Sequence, residues 1–201
     1  MSHHFLAMMN RMRYINRWGL MRNTQTENIQ EHSLQVVMIT HALLEIRASM
    51  FYQGRQPLDK AQTLLLALYH DAAEILTGDL PTPVKYANPA IRDAYHAVET
   101  VAAEKLLSLL PEALLPAYRP LFLPDQADAA TTEAVKLVKA ADRLSAYIKC
   151  LEEEKAGNSE FRQASETVRQ KLALVMRELP EVAWFMEQLL PSFLLSLDEL
   201  S

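Results

Sequence analysis

In the stretch LALYHDAAEILTGDLPTPVK, from Leu66 to Lys85, a helical segment sets His70 beside Asp71 and puts Glu74 one turn further on. Residues three and four apart share a helix face, so Glu74 falls on the side of both His70 and Asp71. Leu64, Leu65, Leu68, Ile75 and Leu76 describe a packed helix, and an isolated charge at the edge of a core is costly. The three polar groups therefore need partners. Two candidates lie elsewhere: His32, at the start of another helical stretch, and Asp142, beside the apolar stripe Leu137, Ala141, Leu144, Ile148 and Leu151. With His70 and Asp71 they make two imidazoles and two carboxylates, a borderline-to-hard ligand set that suits one divalent transition ion and leaves positions for water and substrate. Taken singly, each has a plainer reading: His32 as a helix cap, Asp142 paired with Arg143 or Lys139, His70 as a satisfied core histidine. Only the combination points to a metal. His41 and His96 lack a carboxylate in the corresponding place and read as structural.

The elements that must gather these positions are helical. Only four glycines occur in 201 residues, half the residues are hydrophobic, and helix formers recur, so the expected class is all-α. Helices are predicted over His4 to Tyr14, Glu31 to Tyr52 with the stripe Val36, Ile39, Leu43 and Ile46, Asp59 to Thr77, Pro89 to Leu110, Glu112 to Tyr118, Ala129 to Ala156 and Phe161 to Glu178. Gly54 and Pro57 end the second, Gly78 and the following LPTP the third, and Gly157-Asn158 the long one. The tail VAWFMEQLLPSFLLSLDEL is apolar and helical, interrupted at Pro191. No repeat or linker divides the chain, which reads as a single domain over 1–201. Between the first two helices runs the polar segment RWGLMRNTQTENIQ, in which Trp18 is either a core plug or part of a functional loop.

Composition narrows the partners. A net charge of −5 provides no basic field for duplex nucleic acid or an anionic membrane surface, so any bound phosphate should be small and held locally. The single cysteine, Cys150, excludes an internal disulfide, fits a reducing compartment and reads as a small, half-buried thiol. There is no apolar run of membrane-spanning length, and the N-terminus lacks a signal-like apolar core, so a soluble cytoplasmic protein is expected. His3 and His4, beside the terminus, read as exposed.

A histidine, a His-Asp pair and a distant aspartate, all on helices, resemble the signature of HD-domain metal phosphohydrolases at His32, His70-Asp71 and Asp142. The blocks INRWGLMRN, TENIQEHSLQVVMI, LYHDAAEILTGDLPTPVKY and PSFLLSLDEL are similar to the bacterial 5′-deoxynucleotidase branch of that superfamily, over nearly the whole chain. The resemblance implies an HD-domain helical bundle, usually a homodimer, that removes phosphate from deoxyribonucleoside 5′-monophosphates with a divalent ion such as Co2+ or Mn2+. It implies His32, His70, Asp71 and Asp142 as metal ligands, with His32, Asp71 and Asp142 also facing the substrate, Glu74 as the catalytic acid, and Arg17, Trp18, Asp79, Leu80, Pro81 and Thr82 as substrate contacts.

The residue types suit that chemistry. A bound metal ion neutralises phosphate oxygens and lowers the pKa of its water from about 15.7 toward about 7. Glu74 would manage the proton of the leaving 5′-oxygen or of the attacking water, a choice the residues leave open, or else it orients His70. Arg17 offers a planar fork to phosphate and Thr82 a hydroxyl, while Asp79 suits a sugar hydroxyl. Trp18 packed at C2′ would accept hydrogen and exclude a hydroxyl, and no obvious base reader is present. Two other readings remain: an HD-type phosphodiesterase or nucleoside triphosphohydrolase, and a non-enzymatic helical module that docks a partner through the tail from Trp184 to Leu197.

Overall fold

The computed structural model describes residues 3–51, 57–85 and 88–201; the side chain of Thr82 lies outside that description, as do Tyr52 and Gly54. A short helix α1 (Phe5–Met9) tightens into a 3-10 turn over Asn10–Tyr14 and buries Phe5, Met9 and Met12. Next comes α2 (Ile29–Met50), which begins two residues earlier than its apolar stripe predicts because Asn28 is the cap. Its side chain accepts from the Gln30 and Glu31 amides, and Glu31 answers at the Asn28 amide. His32 thus lies just inside the helix and does not cap it.

Asp59 caps α3 (Lys60–Tyr69) by accepting from the Gln62 amide. The helix predicted to run from Asp59 to Thr77 is broken: α3 stops at Tyr69, turns occupy 70–73, and α4 (Glu74–Thr77) follows. The break has a local cause. His70 Nδ1 lies 2.7 Å from the Ala67 carbonyl, the acceptor that a continuing helix would offer to the Asp71 amide. Three-residue hydrogen bonds then take over, Ala72 to Tyr69 and Glu74 to Asp71. Gly78, at φ +74°, closes α4 in a conformation that disfavours any side chain, and leads through half-buried Asp79, Leu80 and Pro81 into α5 (Thr82–Lys85).

The second half comprises α6 (Pro89–Leu107), α7 (Leu115–Phe122), α8 (Ala129–Lys155), α9 (Arg162–Val175) and α10 (Pro180–Gln188), with 3-10 turns over Leu190–Leu194 and Leu197–Glu199. Among the described residues there is no strand, only an isolated antiparallel bridge between Asn16 and Asn28. The architecture is an all-α bundle in which α2 packs on α3, α8 and α10, and α8 packs on α9.

The predicted stripes of α2 and α8 are buried, apart from half-buried Leu151. At about 1.5–3 kcal/mol for each fully buried large aliphatic side chain, these two faces dominate the core. In α3 the buried face is Thr63, Leu66 and Ala67; Leu65 and Leu68, with Leu76 beyond the break, are exposed, contrary to the packed set read from the sequence. A second cluster joins Phe5, Met9, Ala72, Leu106, Leu107 and Leu110, and Tyr69 and Phe122 pack against both clusters. Cys150 is fully buried, and burial pushes its thiol up to about 12, an unreactive state. His41 and His96 are exposed, each beside a carboxylate of its own helix, Glu45 and Glu99, and neither joins the metal-capable cluster. His3 and His4 are exposed, as expected. No helix among the described residues is long and apolar enough to cross a membrane.

Candidate metal and substrate site

Three elements converge where the first turn of α2 meets the middle of α8. The first turn of α2 supplies His32, the break after α3 supplies His70 and Asp71, and the middle of α8 supplies Asp142. One ligand atom from each of His32, His70 and Asp142 lies within 4.8 Å of the others. Asp71 Oδ2 joins them at 3.1 Å from His70 Nε2 and 3.5 Å from His32 Nε2. Asp142 Oδ1 is 3.1 Å from His32 Nε2, and not bonded to Arg143 or Lys139 among the described contacts.

The hydrogen bonds behind the imidazoles decide which nitrogens face the cluster. His70 Nδ1–H donates to the Ala67 carbonyl, which leaves Nε2 turned inward. For His32 the relay is longer. Ser145 gives its hydroxyl proton to Gln35 Oε1, so its oxygen accepts Nδ1–H of His32 at 3.0 Å. Both Nε2 atoms are buried and neither makes an aligned hydrogen bond, despite the nearby carboxylate oxygens. Buried nitrogens in that state are rare in folded proteins, and a cation between them and the carboxylates would satisfy all four groups. The residues present therefore fit a divalent transition ion.

Electrostatics bind the cluster to its surroundings. Burial would lower the His70 pKa, but the adjacent Asp71 carboxylate raises it to about 9 in the metal-free protein. Burial would raise the Asp71 carboxyl, but His70, His32 and Arg17 hold it well below the usual carboxylate range. Burial likewise opposes the Asp142 carboxylate, which His32 keeps lowered. Glu74 is the opposite case: it is buried, its Oε2 makes no hydrogen bond, and burial reinforced by the Asp71 and Asp79 charges pushes it up to about 10. In the metal-free protein it therefore carries a proton at neutral pH.

The polar segment before α2 brings the remaining predicted contacts to the same place. Arg17 Nη1 donates to Asp71 Oδ2 at 3.2 Å, and the surrounding carboxylates outweigh its burial and keep it cationic. The Trp18 amide donates to Asp79 Oδ2 at 3.2 Å, which ties the first loop to the turn after α4. Trp18 is half-buried, its ring 5.3 Å from that of Phe161, and its φ of +59° is unusual for a bulky residue. Such strain, about 1–3 kcal/mol, persists where surrounding contacts over-determine the backbone. The plain core-plug reading of Trp18 therefore does not account for its backbone. Leu80 and Pro81 line the same turn, and Thr82 opens α5. Arg22, by contrast, is exposed and pairs with Glu160, and Lys85 pairs with Glu99 over the Tyr95 ring.

Three contributors escape a reading of the sequence: Glu27, Gln35 and Ser145. Gln35 and Ser145 act behind a ligand and have no signature of their own. Glu27 had one signal, a lone acid in a polar loop already marked by Arg17 and Trp18.

Residues 4–193 match the family described as 5′-deoxynucleotidase YfbR-like. A 5′-deoxynucleotidase of Erwinia tasmaniensis is 50% identical over 198 residues, covering 98% of this chain and 96% of the relative. The 5′-deoxynucleotidase YfbR of Salmonella typhi is similar to the same degree over the same shares. Among solved structures, an HD-domain phosphohydrolase from Listeria innocua superposes with a TM-score of 0.79 at 24% identity, over 96% of this chain and 89% of that one. An HD phosphohydrolase of cyanophage S-2L, bound to dA and one catalytic Zn2+ ion, does so with a TM-score of 0.65 at 20% identity, over 92% and 96%. At those identities the two structures establish the HD-domain fold.

Proposed function

The chain belongs to the 5′-deoxynucleotidase YfbR-like family, and from that membership and the geometry of its site we propose the reaction as follows. It is a metal-dependent phosphoric monoester hydrolase that converts deoxyribonucleoside 5′-monophosphates to deoxyribonucleosides and phosphate. The observation that carries this reading is the pair of inward, unbonded Nε2 atoms of His32 and His70 beside Asp142, with Arg17 held at their edge through Asp71.

His32, His70, Asp71 and Asp142 would hold the ion, Asp71 being shared with Arg17. When bound, the ion would supply Lewis acidity to phosphate oxygens and to a water, and would lower the Glu74 pKa from its metal-free value. Arg17 uses Nη1 on Asp71 and Nε on Glu27, which leaves Nη2 to grip a phosphate oxygen. Burial of Glu74 disfavours its charged form, which supports its giving a proton to the 5′-oxygen as it leaves, over a role as base. Asp79 spends Oδ2 on the Trp18 amide and keeps Oδ1 for a sugar hydroxyl. With its backbone fixed there, the Trp18 ring forms the wall that excludes a 2′-hydroxyl, and Leu80, Pro81 and Thr82 complete the turn around the sugar. No residue placed in this way reads the base, so broad base tolerance follows.

The Zn2+ in the phage relative supports a transition ion, for which Co2+, Mn2+ and Zn2+ are the species to test. Exposed Leu34 and Met38 on α2 and Leu65 and Leu68 on α3 support a homodimer, and the free, buried Cys150 supports a cytoplasmic location. The pairing of Arg22 and Lys85 with acids argues against a triphosphate substrate, which would need more cations near Arg17.

Phosphate release from deoxy- and ribonucleoside 5′-monophosphates and deoxynucleoside triphosphates, with and without added metals, tests the reading. Metal-dependent release from deoxymonophosphates of every base, with ribonucleotides poor, is the expected result. Tripolyphosphate from triphosphates would replace it with the triphosphohydrolase reading.

A further inference from the structure

Glu27 touches neither the substrate nor the ion in the reaction proposed above, yet it contacts both Arg17 and Trp18. Its side chain is 14% exposed, and one oxygen, Oε2, accepts from Arg17 Nε at 3.1 Å and from Trp18 Nε1 at 3.1 Å. The backbone repeats the connection. The Glu27 carbonyl accepts the Arg17 amide at 2.9 Å, the Ile15 carbonyl accepts the Ile29 amide at 3.0 Å, and Asn16 and Asn28 form the antiparallel bridge between them. The other carboxylate oxygen lies 4.0 Å from His32 Nδ1.

Each contact fixes a degree of freedom that recognition needs fixed. An arginine side chain has several rotatable bonds, and a guanidinium clamped at Nε by Glu27 and at Nη1 by Asp71 has one orientation left for Nη2. Trp18 sits on a backbone at φ +59°, so its ring position is not secured by ordinary backbone preference. Its amide is held by Asp79, its ring lies tilted against Phe161, and the ring Nε1 is held by Glu27. Without the last of these, the indole can pivot on Phe161 and leave C2′.

We propose that Glu27 is a positioning residue that couples phosphate grip to sugar selection: a single carboxylate oxygen sets the Arg17 fork and the Trp18 wall at a fixed spacing. A nucleotide is thereby measured from its phosphate to its C2′, and a displacement of one contact displaces the other. The inference rests on the 5′-deoxynucleotidase reading and adds the residue that sets its discrimination.

The test compares Glu27→Ala with Glu27→Gln, the latter keeping one acceptor oxygen at the same reach, using kcat/KM for dAMP and AMP on preparations of measured metal content. In Glu27→Ala the KM for dAMP should rise about tenfold and the dAMP-to-AMP ratio should narrow about tenfold, the scale of one lost hydrogen bond to a charged group, with metal content unchanged. Glu27→Gln should restore the ratio to within about twofold of the wild type. An unchanged ratio in Glu27→Ala, or a risen KM with full discrimination, overturns the coupling. Should Glu27→Ala fail to fold, Glu27→Asp, which keeps the charge but is one methylene short of both donors, must show the same paired losses. A second readout needs no turnover: in a Trp184→Phe background Trp18 is the only tryptophan, and its acrylamide quenching should increase in Glu27→Ala and not in Glu27→Gln. Unchanged quenching overturns the anchoring. An inactive wild-type protein would sink the catalytic reading while the quenching comparison still decided the role of Glu27.

Discussion

Helix α8 carries two buried polar clusters, and they are built on opposite principles. Toward its C-terminus Glu153, almost fully buried, accepts from the Thr24 amide and hydroxyl, the Gln25 amide, Asn158 Nδ2 and Lys149 Nζ, and Lys149 also donates to the Gln25 carbonyl. This network is satisfied from within the chain and fastens the loop after Arg22 to α8. Earlier on the same helix Asp142 and Ser145 serve a cluster whose second-sphere bonds are complete but whose inner nitrogens have no aligned partner. Burial alone therefore does not mark function. The distinguishing feature is the convergence of inward polar atoms, each oriented from behind and left open in front, which is the arrangement a ligand completes.

The comparison can be broken by substitutions on either side. Asp142→Ala should abolish metal binding and lower kcat by about 10⁴ or more, since both the metal and its orientation are lost, while thermal stability of the metal-free protein is retained. Metal content and phosphate release, measured alongside a melting curve, check this. Glu74→Gln should lower kcat by about 10²–10⁴ with metal bound as before, because only the proton is removed; loss of metal in this variant would instead make Glu74 part of the ligand shell.

On the structural side, Glu153→Ala leaves the buried Lys149 unpaired and should cost about 3–5 kcal/mol of stability by denaturant titration, with the metal site of the surviving folded protein intact. The smallest change is expected for Ser145→Ala, which releases His32 Nδ1 and should weaken metal affinity about 10–100-fold without unfolding the chain.

Acidity sharpens the same contrast. Burial would raise the Glu153 carboxyl, but Lys149, Asn158 and Thr24 draw it down to about 2, below its unfolded value. Its contribution to stability is complete above the unfolded pKa near 4.5 and is lost as pH falls toward about 2. His70 runs the other way in the metal-free protein. Raised to about 9, it contributes stability below the unfolded pKa near 6.5 that is lost as pH rises through about 9. Metal must displace that proton, so the apparent affinity for Zn2+ should tighten by about tenfold per unit from pH 6.5 to 9, as read by competition titration. The Glu153 network should show no change over that interval.

The sequence made some of this legible and concealed the rest, for definite reasons. His32, the His70-Asp71 pair and Asp142 stand out because their types are costly beside a packed helix face without a partner. The α2 and α8 stripes were legible because period 3.6 survives in the side chains themselves. The break after Tyr69 was not, since the apolar and polar pattern runs on through it; only the His70 side chain, competing for the Ala67 carbonyl, ends the helix. Exposed Leu65 and Leu68 misled the periodicity for a related reason, because a face left to solvent or to another chain looks apolar too. Gln35, Ser145 and Glu27 act through contacts made across 9 to 113 positions of sequence, which no local pattern records.

The most direct test of the central claim, that the open cluster on α8 holds a single catalytic ion, is to titrate metal-stripped protein with Co2+, Mn2+ or Zn2+ while following phosphate release from dAMP. No release is expected in chelator, and activity should rise linearly and saturate at one ion per chain. Full activity in the stripped protein, or ion binding at one per chain that leaves dAMP untouched, would contradict it.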